Sequence, residues 1–436
     1  MNIIGLQINP KIGDIKGNLN QITAKINAHL KDGGSENSLF VLPELSLIGY
    51  PPRDLLSLPA LLEEEQSALS EIQKLSALKK FSILIGHCEI RQERFKGKPL
   101  YNSATFFESG TLLARFRKQR IPHYDIFEEE RFFERYKGPS PNPVEFQGYK
   151  IAVAICEDNW DSIKAFGGQD IRAYENTSNP FFHLLSQKVD LLINLSASPF
   201  SLGKAELRQD LFSSMAQRLN TPLLYVNCVG AQDHILFDGR SFLMGADGNI
   251  LKQARSFEED SLMVSIDSSI DFSIEKSKKH APNLRNDWQD LRQGLACGIH
   301  DYVKKIGAQK VLLGLSGGID SALVATLATD ALGPENVLGI MLPSRFNSTE
   351  SLEQAQSLAK NLRIKTQELP ITNTLEAAVK TTGINESGLT HQNIQSRIRG
   401  LLLMALSNET NALLLSTGNK SELAMGYTTL YGDMNG

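Results

Sequence analysis

An apolar run at residues 310–315 (KVLLGL) stops at Ser316-Gly317-Gly318-Ile319-Asp320-Ser321, and helical spacing takes over at once. That junction constrains the fold more than any other stretch of the chain. A strand that feeds a helix through a tight glycine turn calls for a crossover connection, and such crossovers join parallel strands in a right-handed sense. The pattern continues on both sides. A helix over 286–306 leads in, the helix over 320–332 stops at Gly333-Pro334, and a second strand spans 336–342. A further helix begins after Asn347, with Glu350 at capping-box spacing, and a third strand covers 364–369. A parallel, layered α/β domain is expected here.

The turn itself carries chemistry. Gly317 and Gly318 let the backbone come close to a phosphate, and the helix N-terminus that follows favours an anion. Ser316 and Ser321 add hydroxyl donors. No GxxxxGK[ST] stretch is present, which excludes the P-loop NTPase class. Asp320 beside a bound phosphate repels it unless a cation lies between them, and this points to magnesium.

The N-terminal part obeys a different pattern. Strands are expected at 3–8, 38–43, 82–90, 101–108, 149–156, 190–196 and 223–229, with another around 112–116 and antiparallel hairpins over 239–266. Leu19, Ile22, Ile26 and Leu30 mark one amphipathic helix, and Leu207, Leu211, Met215 and Leu219 mark another. Many strands and few helices suggest a layered α/β sandwich. Residues 267–285 are polar without an apolar stripe and read as a linker, which sets two domains at 1–275 and 276–436.

Three residues in the first domain stand at strand ends. Cys156 closes an apolar strand and is followed at once by Glu157-Asp158-Asn159-Trp160. Glu44 follows the strand 38–42 through Pro43, and Lys118 precedes a Pro- and aromatic-rich loop. Alone, each has an ordinary reading as a buried thiol or a surface charge. Together they supply what acyl transfer to a thiol needs. A carboxylate accepts the thiol proton, and an ammonium faces the tetrahedral oxyanion. The carboxylate then returns the proton to the leaving amine. His87, His123, His183 and His234 have no flanking motif that recommends them as the base.

With these motifs in place, residues 1–265 resemble the nitrilase (carbon–nitrogen hydrolase) superfamily. The resemblance rests on Glu44 in LPELSLIGYPPRDLL (42–56), Lys118 in RKQRIPHYDIFEEERFF (117–133) and Cys156 in ICEDNW (155–160). It implies an αββα sandwich and a thioester intermediate that frees ammonia from glutamine. Within that family GYPPRDLL (49–56) is similar to the glutaminase branch attached to NAD synthetases. The branch implies a glutamine pocket formed by Tyr50, Tyr124, Phe127, Glu129 and Ser198.

The SGGIDS turn resembles the pyrophosphate-loop (PP-loop) ATPases, Rossmann-like domains that split ATP between its α and β phosphates. MLPSRFNSTESLEQA (341–355), HQNIQSRIRG (391–400) and STGNKSELAMGYTTLYGDMNG (416–436) resemble the NAD synthetases among them. By this resemblance Ser316, Gly317, Gly318, Asp320, Ser321 and Thr417 hold ATP. Arg397 contacts nicotinate adenine dinucleotide (deamido-NAD), and Asp320 and Glu422 hold Mg2+. The family continues beyond the segment that ends at Gly436, so a shortened chain is expected. Ammonia reacts only unprotonated and the adenylate is labile to water, so a protected route between the two sites is expected as well.

Composition adds limits. The chain has 436 residues, room for two or three domains. Its formal net charge of −4 makes nucleic acid and anionic membranes poor partners. Cys88, Cys156, Cys228 and Cys297 form no CxxC pair, which fits a reducing cytoplasm. No apolar run is long enough for a membrane span, and no signal peptide is visible. A homo-oligomer is expected from the resemblance.

Overall fold

The computed structural model describes residues 1–31, 38–91, 97–139, 142–160, 180–266, 272–273 and 287–436. The chain divides into two compact units, Met1–Leu291 and Arg292–Gly436. The stretch read as a linker, and with it the boundary at 275, lies outside the described residues apart from Phe272 and Ser273.

Among the described residues, the first unit holds two large sheets and a two-stranded one, Val229–Gln232 with Ile235–Asp238. One of the large sheets runs Phe272–Ser273, Asp260–Ile266, Asn2–Gln7, Leu39–Val41, Ser82–Ile90, Leu100–Glu108, Thr111–Arg117 in spatial order. The other runs Ile250–Gln253, Phe242–Met244, Leu223–Asn227, Leu191–Ser196, Tyr149–Ile155, Val144–Phe146. Strand alternation assigns the faces. Leu39, Val41, Ile151, Val153, Ile155, Ile193 and Leu195 meet in a core between the sheets. Ile4, Leu6 and Phe40 point the other way, against Leu19, Ile22 and Ile26 of the helix Ile15–Lys31. On the far side Ala152, Ala154 and Leu192 pack on Phe212, Met215 and Ala216 of the helix Lys204–Leu219. The layers are helix, sheet, sheet, helix.

One long helix, Pro59–Lys79, has no counterpart in the sequence pattern. Its apolar stripe of Ala68, Leu69 and Ile72 is preceded by three glutamates, and the third of these faces inward. Glu65 is fully buried, and its carboxyl oxygens accept from Cys88 N at 3.2 and 3.3 Å. Burial pushes this carboxyl up to about 8, against the opposing pull of the Cys88 N–H. A folded-state value above the unfolded one gives stability that is present at low pH and lost as pH rises toward 8. Ionising the group in place costs on the order of 5 kcal/mol. Glu65→Gln is therefore expected to flatten the fall in stability between pH 5 and pH 9, read from denaturant unfolding at both. Equal slopes for the two proteins would contradict it.

In the second unit four strands lie parallel in the order Lys365–Glu368, Val337–Met341, Val311–Gly314, Leu413–Leu415. Val311, Leu313 and Leu315 face Ala325 and Ala328 of the helix Ile319–Leu332 and Ala355 and Ala359 of the helix Thr349–Leu362. Ile340 and Leu342 face the helix Gly388–Thr410 through Ile398. Both faces are covered, as a parallel sheet requires. The cap expected at Asn347 is corrected by one residue. Ser348 is the N-cap and accepts from Ser351 N, while Asn347 Oδ1 accepts from Ser344 N at 2.8 Å and so stays in the preceding turn. Among the described residues, no helix is long and apolar enough to cross a membrane.

Candidate active sites

The first site gathers at the strand ends between the two sheets. Glu44 follows Leu39–Val41, and its segment presses onto the next strand at Gly86. A Cβ there would lie 2.6 Å from Pro43 O, so only glycine permits this contact. Lys118 follows Thr111–Arg117, and its ammonium is fully buried. Its Nζ donates to Glu44 Oε1 at 2.6 Å and to Glu129 Oε1 and Oε2 at 2.8 and 3.0 Å. Tyr50 OH donates to Glu129 Oε1 at 2.7 Å, and Ala197 N donates to Glu44 Oε2 at 3.0 Å. Burial alone would pull the Lys118 ammonium down, but Glu129 and Glu44 outweigh it and hold it well above its ordinary value. Glu129 is raised by burial and by Glu44, against the opposing pull of Lys118 and Tyr50.

Cys156 begins a short 3-10 turn, Cys156–Asn159, at the end of Tyr149–Ile155. Its φ is +51°, a left-handed conformation that non-glycine residues rarely hold. Asn194 Nδ2 donates to Cys156 O at 2.9 Å and to Asn159 Oδ1 at 2.8 Å. Asp158 ties the same turn to the segment after Lys118, accepting from Gln119 N and Arg120 N at 2.9 and 2.8 Å. The thiol lies within electrostatic reach of Glu44, Lys118, Glu157 and Glu129. Burial and the Glu44 carboxylate push it well above its ordinary value, and Lys118 pulls it down.

The remaining residues expected around glutamine are also here. Tyr124 OH donates to Glu157 Oε1, and the Tyr124 and Phe127 rings meet edge-on at 5.3 Å. Ser198 is buried, and among the described residues its Oγ has no hydrogen-bond partner. Lys204 carries no signal in the sequence, because it opens a helix whose apolar stripe starts at Leu207. Its Nζ stands 5.9 Å from the Phe127 ring centre. Burial and Arg208 lower it, while Glu157 and Cys156 raise it. With Phe127, Ser201 and Leu236 it lines a cavity of about 170 Å³. His87, by contrast, is a satisfied buried ring bonded to Thr105 Oγ1, and burial lowers it to about 4.

The second site lies at the carboxyl ends of the parallel strands, where the order reverses between Val311–Gly314 and Leu413–Leu415. Ligands bind at such switch points. A cavity of about 360 Å³ opens there, lined by Ser316, Leu342, Arg399, Ser416 and Thr417 among others. Gly317 has φ +82°, and a Cβ on it would stand 2.2 Å from Ser351 O. The turn closes on itself. Gly318 N donates to Ser316 Oγ at 3.1 Å, and Ser321 Oγ donates to Gly318 O at 3.1 Å. The helix Ile319–Leu332 has no side-chain cap, which leaves its first N–H groups for an anion. Asp320 stands in its first turn. Glu422 lies in the short helix Lys420–Met425 and accepts from Asn419 N at 3.1 Å. Arg397 Nε donates to Leu430 O at 3.2 Å, and it is Arg399, not Arg397, that lines the cavity.

The first unit thus holds a buried thiol near a carboxylate–ammonium pair, and the second holds a glycine turn beside a cavity at a switch point. The carbon-nitrogen hydrolase family model matches residues 5–163 and 173–272, and the NAD synthase model matches 292–436. The chain is 44% identical to the glutamine-dependent NAD(+) synthetase of Synechocystis sp. over 99% of its own length and 76% of that protein's. It is 36% identical to that of Thermotoga maritima, covering 99% and 76%. The solved structure of the Acinetobacter baumannii enzyme in complex with ADP matches with a TM-score of 0.86 at 35% identity, over 100% of this chain and 78% of that one. The chain belongs to the glutamine-dependent NAD(+) synthetase family, ligases that use glutamine as the amide donor. Its folds are the αββα sandwich of the nitrilases and the parallel α/β domain of the NAD synthetases.

Proposed function

We propose that this chain converts deamido-NAD, ATP, glutamine and water to NAD, AMP, pyrophosphate and glutamate. The observation that carries this reading is the fully buried Lys118 ammonium held between Glu44 and Glu129 beside Cys156. A structural core has no use for such a group, which costs several kcal/mol to desolvate.

The thiol rests protonated, so its proton passes to Glu44 as sulfur attacks the side-chain carbonyl of glutamine. Lys118 stabilises the oxyanion. Collapse breaks the C–N bond, ammonia leaves with the proton from Glu44, and a thioester remains. Water, deprotonated by Glu44, then releases glutamate and restores the thiol. Tyr50 holds Glu129, and Glu129 holds Lys118. Glutamine enters as a zwitterion, and Lys204 and Glu157 offer one charge for each of its ends. Ser198 Oγ and the Tyr124–Phe127 pair complete the pocket.

At the second site the Ser316–Ser321 turn and the helix behind it cradle the phosphates of ATP, and Thr417 borders the nucleotide. Arg397 is assigned to deamido-NAD on the resemblance of its segment, although Arg399 on the same helix is the residue that lines the cavity. Among the described residues no group of three or more potential metal ligands is assembled. Magnesium does not need one, because it takes one or two carboxylates and fills its shell with phosphate oxygens and water. Asp320 and Glu422 fit that role, and the ion would neutralise phosphate charge. The deamido-NAD carboxylate attacks the α-phosphorus, pyrophosphate leaves, and ammonia then displaces AMP from the adenylate. The reading calls for no nucleic acid and no membrane, and a cytoplasmic homo-oligomer is its expected form.

The acceptor is tested by offering deamido-NAD, xanthylate and aspartate with ATP and ammonium. Amidation of deamido-NAD alone is expected. Turnover of either of the others in its place would assign the chain to a different amidotransferase, and absence of ATP–pyrophosphate exchange would reduce the second unit to a binding module.

A further inference from the structure

Asn102, on the strand Leu100–Glu108, is 1% exposed. Its Nδ2 donates to Glu44 Oε1 at 2.7 Å and to Glu129 Oε2 at 3.2 Å, and its backbone carbonyl accepts from the Lys118 backbone N–H at 2.9 Å. Its side chain thus spans the two carboxylates that hold the Lys118 ammonium, and its backbone holds the Lys118 main chain. The amide orientation is forced, because the reverse would set an oxygen against both carboxylates.

The pocket holds two carboxylates and one ammonium. Glu44 and Glu129 are faced by Lys118, by Tyr50, by the Cys156 thiol, by the Asn102 amide and by Ala197 N. Like charges in a dry pocket favour a shared proton, and a proton seated on Glu44 would block the transfer from sulfur. Glu44 Oε1 is occupied by Asn102 and Lys118, whereas among the described residues Oε2 accepts only from Ala197 N.

We propose that Asn102 is a positioning residue for glutamine hydrolysis: it gives one amide hydrogen to each carboxylate, fixes Glu44 Oε1 on the Lys118 side, and leaves Glu44 Oε2 as the oxygen that takes the thiol proton. This rests on reading Cys156 as the nucleophile and Glu44 as the base.

The test measures glutamate release against pH for Asn102→Leu and Asn102→Asp, with ammonium-driven NAD formation as the control for an intact chain. Asn102→Leu is expected to lower kcat about 30-fold, the worth of a charge-assisted hydrogen bond. It should also move the acid limb of the profile to higher pH by about one unit while KM for glutamine holds. Asn102→Asp has the same volume but offers acceptors in place of donors, so above neutral pH it is expected to lose more than Asn102→Leu. A packing role predicts the reverse order. An unchanged kcat, an acid limb that stays in place, or Asn102→Asp as the milder variant would overturn the proposal. If Asn102→Leu fails to fold, Asn102→Ser, which keeps one donor, is expected to show the same shift at smaller size, and no shift there would overturn it. Cys156→Ala in the same series separates the two claims. Glutamine hydrolysis that survives it refutes the underlying site, whereas its loss alongside an unshifted Asn102→Leu refutes only the role of Asn102.

Discussion

Cys156→Ala is expected to remove glutamine-driven NAD formation and leave ammonium-driven formation essentially unchanged. Loss of the nucleophile takes away the only atom that can form the thioester, and removal of such a group costs at least ten-thousandfold in rate. The rest of the constellation survives the substitution. Lys118 keeps both of its carboxylate partners, and Cys156 O still accepts from Asn194. The lost sulfur leaves a small cavity in the core between the sheets, with a cost on the order of 1 kcal/mol. The separation of the two nitrogen sources is what carries the test. Rates measured with glutamine and with ammonium chloride check it, and undiminished turnover with glutamine would remove Cys156 from the mechanism.

Asp320→Ala has the complementary signature. Synthesis falls at least about 100-fold with either nitrogen source, because phosphate charge at the turn is no longer balanced through a cation. Glutamine hydrolysis persists, since Cys156, Glu44 and Lys118 all belong to the first unit. Stability changes little. Asp320 is half-buried in the first turn of Ile319–Leu332, where its charge contributes roughly 0.5 kcal/mol through the helix dipole. Chelation of magnesium is expected to reproduce the pattern in the unsubstituted chain. Normal synthesis by Asp320→Ala, measured as NAD formed from ammonium, would end the metal role assigned to this carboxylate.

The sequence exposed these elements unevenly, for physical reasons. Strands buried on both faces read as apolar runs, and Ser82–Ile90 emerges with the same bounds in sequence and structure. Glu44, Lys118 and Cys156 were legible because polar residues interrupt apolar runs just where strands end. The helix Pro59–Lys79 was not legible, because a buried Glu65 breaks its apolar period. Lys204 and Asn102 were not legible for a related reason. A lysine at the start of a surface helix and an asparagine inside a strand are unremarkable in one dimension. Only the folded chain sets Lys204 over Phe127 and Asn102 between two carboxylates. The cap at Ser348 shows the smallest form of the same limit, since Asn347 and Ser348 are equally good caps and the choice is made by Ser344.

The central claim is that one chain moves the amide nitrogen of glutamine onto an adenylated carboxylate. Glutamine labelled with 15N in its side-chain amide, supplied with deamido-NAD, ATP and magnesium, tests it directly by mass spectrometry of the products. The account predicts NAD carrying one 15N, with AMP and pyrophosphate formed in equal amounts to it. Unlabelled NAD, or ADP and phosphate in place of AMP and pyrophosphate, would contradict it.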